Sequence, residues 1–234
     1  MHLFFRPKFV ICLKLLKILR SIIIDFLRSR SLYWKFRHLF EPSVWQVYQE
    51  SATFDKCQYF SDFVVYHDIT SVLEYGCASA PNLINIAANV DKPVELIGFD
   101  INFAAIKLAK KTLPFGFFFS KKSHLFEFLA QRNTPHLDLL IFDRVLYLLS
   151  DREIYNILTL LSGKARYIII DDFHSDVISE HSSFPYPLRN YVDLFSEYSC
   201  LNIDDSQHSA LQDNTLSFAK RIVLELRAYS SSPL

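Results

Sequence analysis

Glycine is scarce in this chain, which has only 4 glycines among 234 residues. Because glycine marks places where the backbone turns sharply or approaches a ligand, each of the four is unusually informative. The chain also has no C-x-x-C pair and no regular spacing among Cys12, Cys57, Cys77 and Cys200. This pattern excludes a disulfide framework and a cysteine-based zinc site, and it predicts reduced thiols in a cytoplasmic protein.

The sequence also lacks a long uncharged hydrophobic run. Its most apolar segment, residues 9–24, is interrupted by Lys14, Lys17 and Arg20. A transmembrane helix needs about 20 nearly uncharged residues, so this segment is not predicted to span a membrane. A secretory signal carries its charges before the apolar region, whereas here they lie inside it. We therefore expect neither a spanning helix nor a cleaved signal in this segment.

The net charge of zero hides an asymmetry between the first forty residues and the rest. Residues 1–40 carry nine basic side chains and one acidic side chain, so the remainder of the chain is acidic. As a helix, this segment would place Lys14, Lys17 and Arg28 on one stripe and leucines on other faces. Residues 1–44 are therefore predicted to form a basic amphipathic helical arm. The arm fits an anionic membrane surface, but a helix that caps its own domain or a dimer partner is narrowly favoured.

The remainder, residues 45–230, is predicted to form one α/β domain. Residues 33–63 are rich in aromatics and predict two or three short helices. Beyond Asp68, short apolar runs alternate with helical stretches. The strands are predicted at 71–75, 94–99, 115–119, 137–142, 167–171, 201–204 and 218–226, and the helices at 82–90, 103–113, 124–131, 151–161 and 188–198. This alternation predicts a Rossmann-like, doubly wound, mostly parallel seven-stranded sheet with an antiparallel edge hairpin.

Ligands of such sheets bind beyond the carboxyl ends of the strands. The first strand ends in Glu74-Tyr-Gly-Cys-Ala-Ser-Ala80, a turn of small residues that opens a helix. Such a turn lets backbone N–H groups approach a polar ligand. The second strand ends in Gly98-Phe-Asp100, and a carboxylate there can accept both hydroxyl hydrogens of a ribose. The pattern predicts a site for a nucleoside-containing cofactor.

Three motifs carry a resemblance to a known family. Val72-Leu-Glu-Tyr-Gly-Cys-Ala-Ser-Ala80, Gly98-Phe-Asp-Ile101 and the segment from Leu137 to Asp151 resemble, in order and spacing, motifs of the class I S-adenosylmethionine (SAM)-dependent methyltransferases. The resemblance implies SAM as cofactor. It also implies roles by position. The methionine moiety would be lined by Glu74, Gly76, Cys77 and Ala78, whereas Asp100 would hold the ribose and Ile101 would pack against the adenine. Asp143 and Arg144 would lie near the amino-acid part of SAM and the substrate.

The chain departs from the family pattern at two places. Ala78 and Ala80 replace two glycines of the first motif, and alanine costs roughly 1 kcal/mol wherever a positive φ is required. Lys121-Lys-Ser123 follows the third strand, where many relatives have an acid that contacts the adenine amino group. Three alternatives also remain open for the acids: Glu74 as a satisfied buried carboxylate, Asp100 as a helix-capping loop acid, and Asp143 as the cap of a turn.

The end of the fifth strand offers candidates for chemistry. Histidine can act as a general base near neutral pH, so His174 is a candidate for that role, and its alternative is a solvated loop histidine. Asp171 and Asp172 are adjacent in a strand, so their side chains point to opposite faces and no metal site is predicted. Arg189 or Tyr186 could bind an acidic substrate. The alternative is that both lie in a surface turn.

The predicted function is methylation of a small or lipid-like molecule, in the cytoplasm or at a membrane surface reached through the arm. The acidic catalytic body and the lack of an Asn-Pro-Pro-Tyr-type motif argue against a nucleic-acid substrate. A NAD-dependent oxidoreductase would need a Gly-x-Gly-x-x-Gly turn, of which only Gly76 is present. A non-catalytic SAM-fold module for binding or assembly is the remaining alternative, because Ala78 and Ala80 alter the cofactor turn.

Overall fold

The computed structural model describes residues 32–132, 136–161, 163–175, 187–205 and 219–227. Most of the basic arm, and residues 176–186 with Tyr186, therefore lie outside the described residues. The described α-helices are α1 (Leu32–Phe40), α2 (Val44–Glu50), α3 (Asp55–Tyr66), α4 (Pro81–Asn89), α5 (Phe103–Thr112), α6 (Lys122–Gln131), α7 (Asp151–Leu161) and α8 (Tyr191–Leu194). Short 3₁₀ turns cover Ser51–Thr53 and Leu146–Leu148.

Seven strands form one sheet, as the sequence predicts. They are β1 (Ser71–Tyr75), β2 (Glu95–Phe99), β3 (Phe117–Phe119), β4 (Leu137–Asp143), β5 (Ala165–Phe173), β6 (Tyr198–Asp205) and β7 (Ala219–Leu226), in the order β3-β2-β1-β4-β5-β7-β6. Strands β1 to β5 pair in parallel, while β7 is antiparallel to both β5 and β6. The order reverses between β1 and β4, where sheets of this type bind their ligands.

Both faces of the sheet are buried. Ile168 and Ile170 of β5 belong to the hydrophobic cluster on one face, and Ile169 belongs to the cluster on the other. Such alternation follows from the period of two in a strand. It explains why these strands read as continuous apolar runs rather than as alternating ones.

The aromatic segment before β1 forms three short α-helices and one 3₁₀ turn, in agreement with the prediction. Helix α1 is fastened to the body of the domain, because the Trp34 carbonyl accepts a hydrogen bond of 2.7 Å from Asn102 Nδ2. Among the described residues, no helix is long and apolar enough to cross a membrane.

One helix prediction is wrong. Residues 188–198 were expected to be helical, yet only the four-residue helix α8 forms there, and β6 begins at Tyr198. Tyr198 is drawn into the sheet: it pairs with Leu226 of β7, and its hydroxyl donates to the Ala165 carbonyl at 3.1 Å. Tertiary pairing thus overrides the local helical preference of this segment.

Candidate functional site

A cavity of about 480 Å³ opens at the carboxyl ends of β1, β2 and β4. It lies next to the reversal of strand order between β1 and β4, as expected for this sheet type. All eight residues that the sequence predicts to bind the cofactor line it: Glu74, Gly76, Cys77, Ala78, Asp100, Ile101, Asp143 and Arg144. The structure therefore brings the predicted set together around one space.

The turn after β1 holds its backbone close to the cavity wall. Gly76 has a φ of +88°, and a Cβ placed there would lie 2.5 Å from Val145 Cγ2. The N–H groups of Gly76 and Cys77 donate to the Phe99 carbonyl at 2.7 and 2.9 Å, which ties the turn to the end of β2. Glycine is thus required at position 76 both by the backbone conformation and by space.

Ala78 and Ala80 keep the left-handed backbone that glycine would adopt, with φ of +49° and +67°. Their methyl groups go to different places. Ala78 is half-buried and lines the cavity, whereas Ala80 is completely buried in the core and does not line it. The substitutions therefore add backbone strain, but the cavity beside Ala78 stays open.

Asp100 is fixed by backbone donors at the end of β2. Its Oδ2 accepts from Ala78 N at 2.9 Å and its Oδ1 from Asn102 N at 2.7 Å. Burial raises its pKa to about 6 although these two N–H groups oppose the shift. The helix cap is a different residue, because Asn102 accepts from Ala104 N and Ala105 N at the start of α5. A carboxylate can accept more than two hydrogen bonds, so Asp100 retains capacity for ligand hydroxyls.

Glu74 and Asp143 face each other across Asn82. The Asn82 amide donates to Glu74 Oε1 at 2.7 Å and to Asp143 Oδ2 at 2.9 Å. Burial, followed by the charge of Asp143, raises the pKa of Glu74 to about 8. Glu74 Oε2 is buried without a hydrogen-bond partner, so Glu74 is not the satisfied core carboxylate of the alternative interpretation. The pair offers a buried acceptor for a cationic group.

Lys56 completes this cluster, and the sequence analysis does not identify it. Its Nζ lies 2.7 Å from Asp143 Oδ2, and its side chain lines the cavity from α3. Burial lowers the pKa of Lys56, but the charge of Asp143 and their hydrogen bond outweigh it, and the pKa is raised overall. Lys56 lies far from the three motifs along the chain. The one sequence signal for it is that it is the single lysine in the aromatic-rich residues 45–63.

An acid lies close to Lys121-Lys-Ser123, the second place where the chain departs from the family pattern. Lys122, at the start of α6, and Glu153, on α7, both line the cavity, and their charged atoms are 4.0 Å apart. Ser150 caps α7: its N–H donates to Glu153 Oε2 at 3.0 Å, and its hydroxyl accepts from Glu153 N at 3.4 Å. An acid missing after β3 is thus present on the neighbouring helix.

The two aspartates of β5 have separate partners, as the strand geometry predicts. Asp171 pairs with Arg221 at 2.9 Å and with Arg144 at 3.4 Å. Asp172 accepts from Leu146 N at 2.8 Å, and burial raises its pKa to about 7. Among the described residues, no group of three or more potential ligands is arranged to hold a metal ion.

The position of His174 does not support its predicted role as general base. It is 4% exposed, its Nδ1 accepts from Tyr191 N at 3.3 Å, and it is not among the residues that line the cavity. The alternative of a solvated loop histidine is contradicted by the same burial. Its place after a strand end suggested access to the cavity, but it packs against α8 instead.

Arg189 is neither a substrate ligand of this cavity nor part of a surface turn. It is 9% exposed and donates to the carbonyls of Leu146 and Leu149 at 3.2 and 2.8 Å and to Asp151 Oδ1 at 2.8 Å. It therefore holds the segment after β4 that forms one wall of the cavity.

Another part of the cavity wall comes from the aromatic segment before β1. The aromatic residues that it contributes are Trp34, Trp45, Tyr48 and Phe54. Arg37 links the first three, because its guanidinium lies 5.0 to 5.7 Å from their ring centres and donates to Tyr48 Oη at 3.1 Å. From the sequence alone these aromatics are expected mainly in the core, and nothing in it says which of them line a pocket.

Solved structures share this architecture. A plantazolicin methyltransferase, BpumL, in complex with a monoazolic desmethylPZN analog and SAH aligns with a TM-score of 0.56 at 14% identity, over 88% of this chain and 97% of that one. Magnesium protoporphyrin IX methyltransferase (ChlM) from Synechocystis PCC 6803 with bound SAM gives 0.50 at 16% identity, over 88% and 94%.

The chain has the fold of the class I methyltransferases. No protein-family model matches its sequence, and no curated protein matches it in sequence. The fold predicted from the three motifs is confirmed by these structures, whereas at such low identity the reaction and the acceptor have to be argued from the site itself.

Proposed function

We propose that this protein is a SAM-dependent methyltransferase whose acceptor is a small or lipid-like molecule. The observation that carries the proposal is the arrangement around one cavity of a backbone-held carboxylate, Asp100, and a buried acidic pair, Glu74 and Asp143, beside an open turn. In a methyltransferase fold, this arrangement matches the ribose and the amino-acid group of SAM.

The described residues fit this cofactor. Asp100 would hold the ribose hydroxyls, Ile101 would pack on the adenine, and the turn at Gly76 to Ala78 would lie along the methionine part. The unpartnered Glu74 Oε2 would accept a hydrogen bond from the α-ammonium. When bound, SAM supplies an electrophilic methyl group on a sulfonium, and the protein contributes mainly by positioning the acceptor and excluding water.

Charge around the cavity supports an acceptor that is not a polyanion. The three cationic side chains that line it each have a carboxylate partner: Lys56 with Asp143, Lys122 with Glu153, and Arg144 with Asp171. Recognition of nucleic acid depends on cations that are free to neutralise phosphates. We therefore propose that nucleic acid is not the substrate.

Labelled methyl transfer tests this proposal. Purified protein is incubated with methyl-labelled SAM and either a pool of aromatic and lipid-soluble compounds or total RNA. We expect label in the organic extract of the first reaction and none in the RNA of the second. Transfer to RNA would contradict the assigned acceptor class. Binding of SAM without transfer to either would favour the non-catalytic module.

A further inference from the structure

Large apolar side chains stand exposed at the entrance of the cavity. Val47 on α2 is 58% exposed and Phe54, just before α3, is 61% exposed, yet both line the cavity. Apolar side chains exposed beside a concave site are typical of a ligand-binding surface, whereas scattered ones need no explanation. Here the two residues belong to one wall of the entrance.

The segment after β4 contributes large, mainly apolar side chains to the same lining. Tyr147 and Leu148, in the 3₁₀ turn after β4, are half-buried and line the same cavity. This turn is held in place, because Asp172 accepts from the N–H groups of Leu146 and Tyr147 and Arg189 donates to the Leu146 carbonyl. We call the surface formed by Val47, Phe54, Tyr147 and Leu148 the mouth of the cavity.

Charge at the mouth comes from a carboxylate. Glu50, on the same helix as Val47, is exposed and lines the cavity. Among the described residues, the three cations that line the cavity each lie within 4.0 Å of a carboxylate, which weakens their attraction for an anion. Ser51 is satisfied internally, since its hydroxyl donates to the Tyr48 carbonyl at 2.6 Å. A bound molecule therefore gains mainly from burying apolar surface.

We propose that the mouth is the acceptor-binding subsite and that it takes an uncharged, aromatic or otherwise apolar small molecule. This inference rests on the proposed function, because it makes the mouth the entrance through which the methyl acceptor reaches the cofactor. Val47 and Phe54 are specificity-determining residues of this subsite, and the turn at Tyr147 and Leu148 completes it.

A fluorescence titration tests the mouth without knowledge of the acceptor. The probe is N-phenyl-1-naphthylamine, which is uncharged and gains fluorescence in apolar sites, added to the full-length protein with and without SAH. The variants are Val47→Ser and Phe54→Ser. The matched control is Phe115→Ser, because Phe115 is 64% exposed but does not line the cavity. Thermal unfolding of each variant checks that it is folded.

We expect the wild type and Phe115→Ser to bind the probe equally, and Phe54→Ser to bind it roughly five- to tenfold more weakly because apolar contact area is lost. The anionic analogue 8-anilino-1-naphthalenesulfonate should bind more weakly than the uncharged probe. Equal probe affinity in wild type and Phe54→Ser would overturn the inference, as would a preference for the anion.

A separate calorimetric titration with SAH distinguishes the two proposals. If SAH binds but the probe ignores the mouth substitutions, the inference fails and the proposed function stands. If SAH does not bind the wild type, the proposed function fails. The probe titration without SAH then still decides whether the mouth takes an uncharged apolar ligand.

Discussion

The turn after β1 depends on the backbone conformations of individual residues. Ala78 and Ala80 occupy left-handed conformations that glycine adopts without strain. The strain at Ala80 is offset by the burial of its methyl group in the core, but Ala78 is only half-buried. The two positions therefore differ in what glycine would change.

Ala78→Gly is expected to raise the free energy of unfolding by roughly 0.5–1 kcal/mol, because relief of the positive φ exceeds the added entropy of the unfolded chain. Ala88→Gly is the matched control. Ala88 is exposed in α4, so glycine there should lower stability by roughly 0.5–1 kcal/mol. Urea unfolding measures both, and equal losses in the two variants would show that the strain at Ala78 is negligible.

The raised pKa of Glu74 makes stability depend on pH. Its pKa rises from 4.5 to about 8 through burial, so the folded state binds this proton more tightly than the unfolded state does. The resulting stabilisation is complete below the unfolded pKa and is lost as pH rises through about 8. Asp100 and Asp172, with pKa values of about 6 and 7, act in the same direction.

Glu74→Gln should therefore flatten the fall in unfolding free energy that the wild type shows between roughly pH 5 and pH 8. Denaturant unfolding across this range measures it. Glu127→Gln, an exposed change on α6, should keep the wild-type profile. Parallel profiles for Glu74→Gln and the wild type would contradict the assigned burial of the Glu74 charge.

Between elements, one arginine connects the segment before α8 with the turn after β4. Arg189 donates to the Leu146 carbonyl in that turn, to the Leu149 carbonyl just after it, and to Asp151 at the start of α7. Lysine cannot reproduce this planar set of donors, so a substitution leaves buried carbonyls without partners.

Arg189→Lys is expected to lower the unfolding free energy by roughly 2–4 kcal/mol and to weaken SAH binding, because the cavity wall at Leu148 and Leu149 loses its support. Arg152→Lys, an exposed change on α7, should alter neither quantity. Denaturant unfolding and calorimetry measure the two effects. If Arg189→Lys keeps both the stability and the SAH affinity of the wild type, Arg189 does not support the cavity wall.

Elements with strong local signals were predicted closely from the sequence. The bounds of β1 and α7 agree with the prediction, because each element has a clear apolar pattern and a defined end. The predicted helix at 188–198 was wrong because Tyr198 pairs in the sheet, a contact that local pattern does not encode. The same limit applies to β5, which continues past the predicted end at Asp171 to Phe173.

The candidate site divides in the same way. The residues predicted to bind the cofactor follow strand ends, so their convergence on one cavity could be predicted from topology alone. Lys56 could not, because it reaches Asp143 from a helix that precedes the whole sheet. His174 was misplaced because a strand end fixes the position of a residue but not the direction of its side chain.

At the scale of the whole molecule, the fold brings the ends of β1, β2 and β4 and the N-terminal helices around one cavity. The chain has a basic N-terminal arm and an acidic remainder, and most of the arm lies outside the described residues. Its contact with a membrane surface or a dimer partner stays a prediction. We propose that the cavity binds SAM through Asp100.

Isothermal titration with SAM and with SAH tests this proposal. The proteins titrated are the wild type, Asp100→Asn and the exposed-site control Asp62→Asn. We predict binding to the wild type and to Asp62→Asn, and affinity roughly 10- to 100-fold weaker in Asp100→Asn because charged hydrogen bonds to the ribose are lost. A folded wild type that binds neither ligand, or an Asp100→Asn variant that binds as tightly as the wild type, would contradict the account.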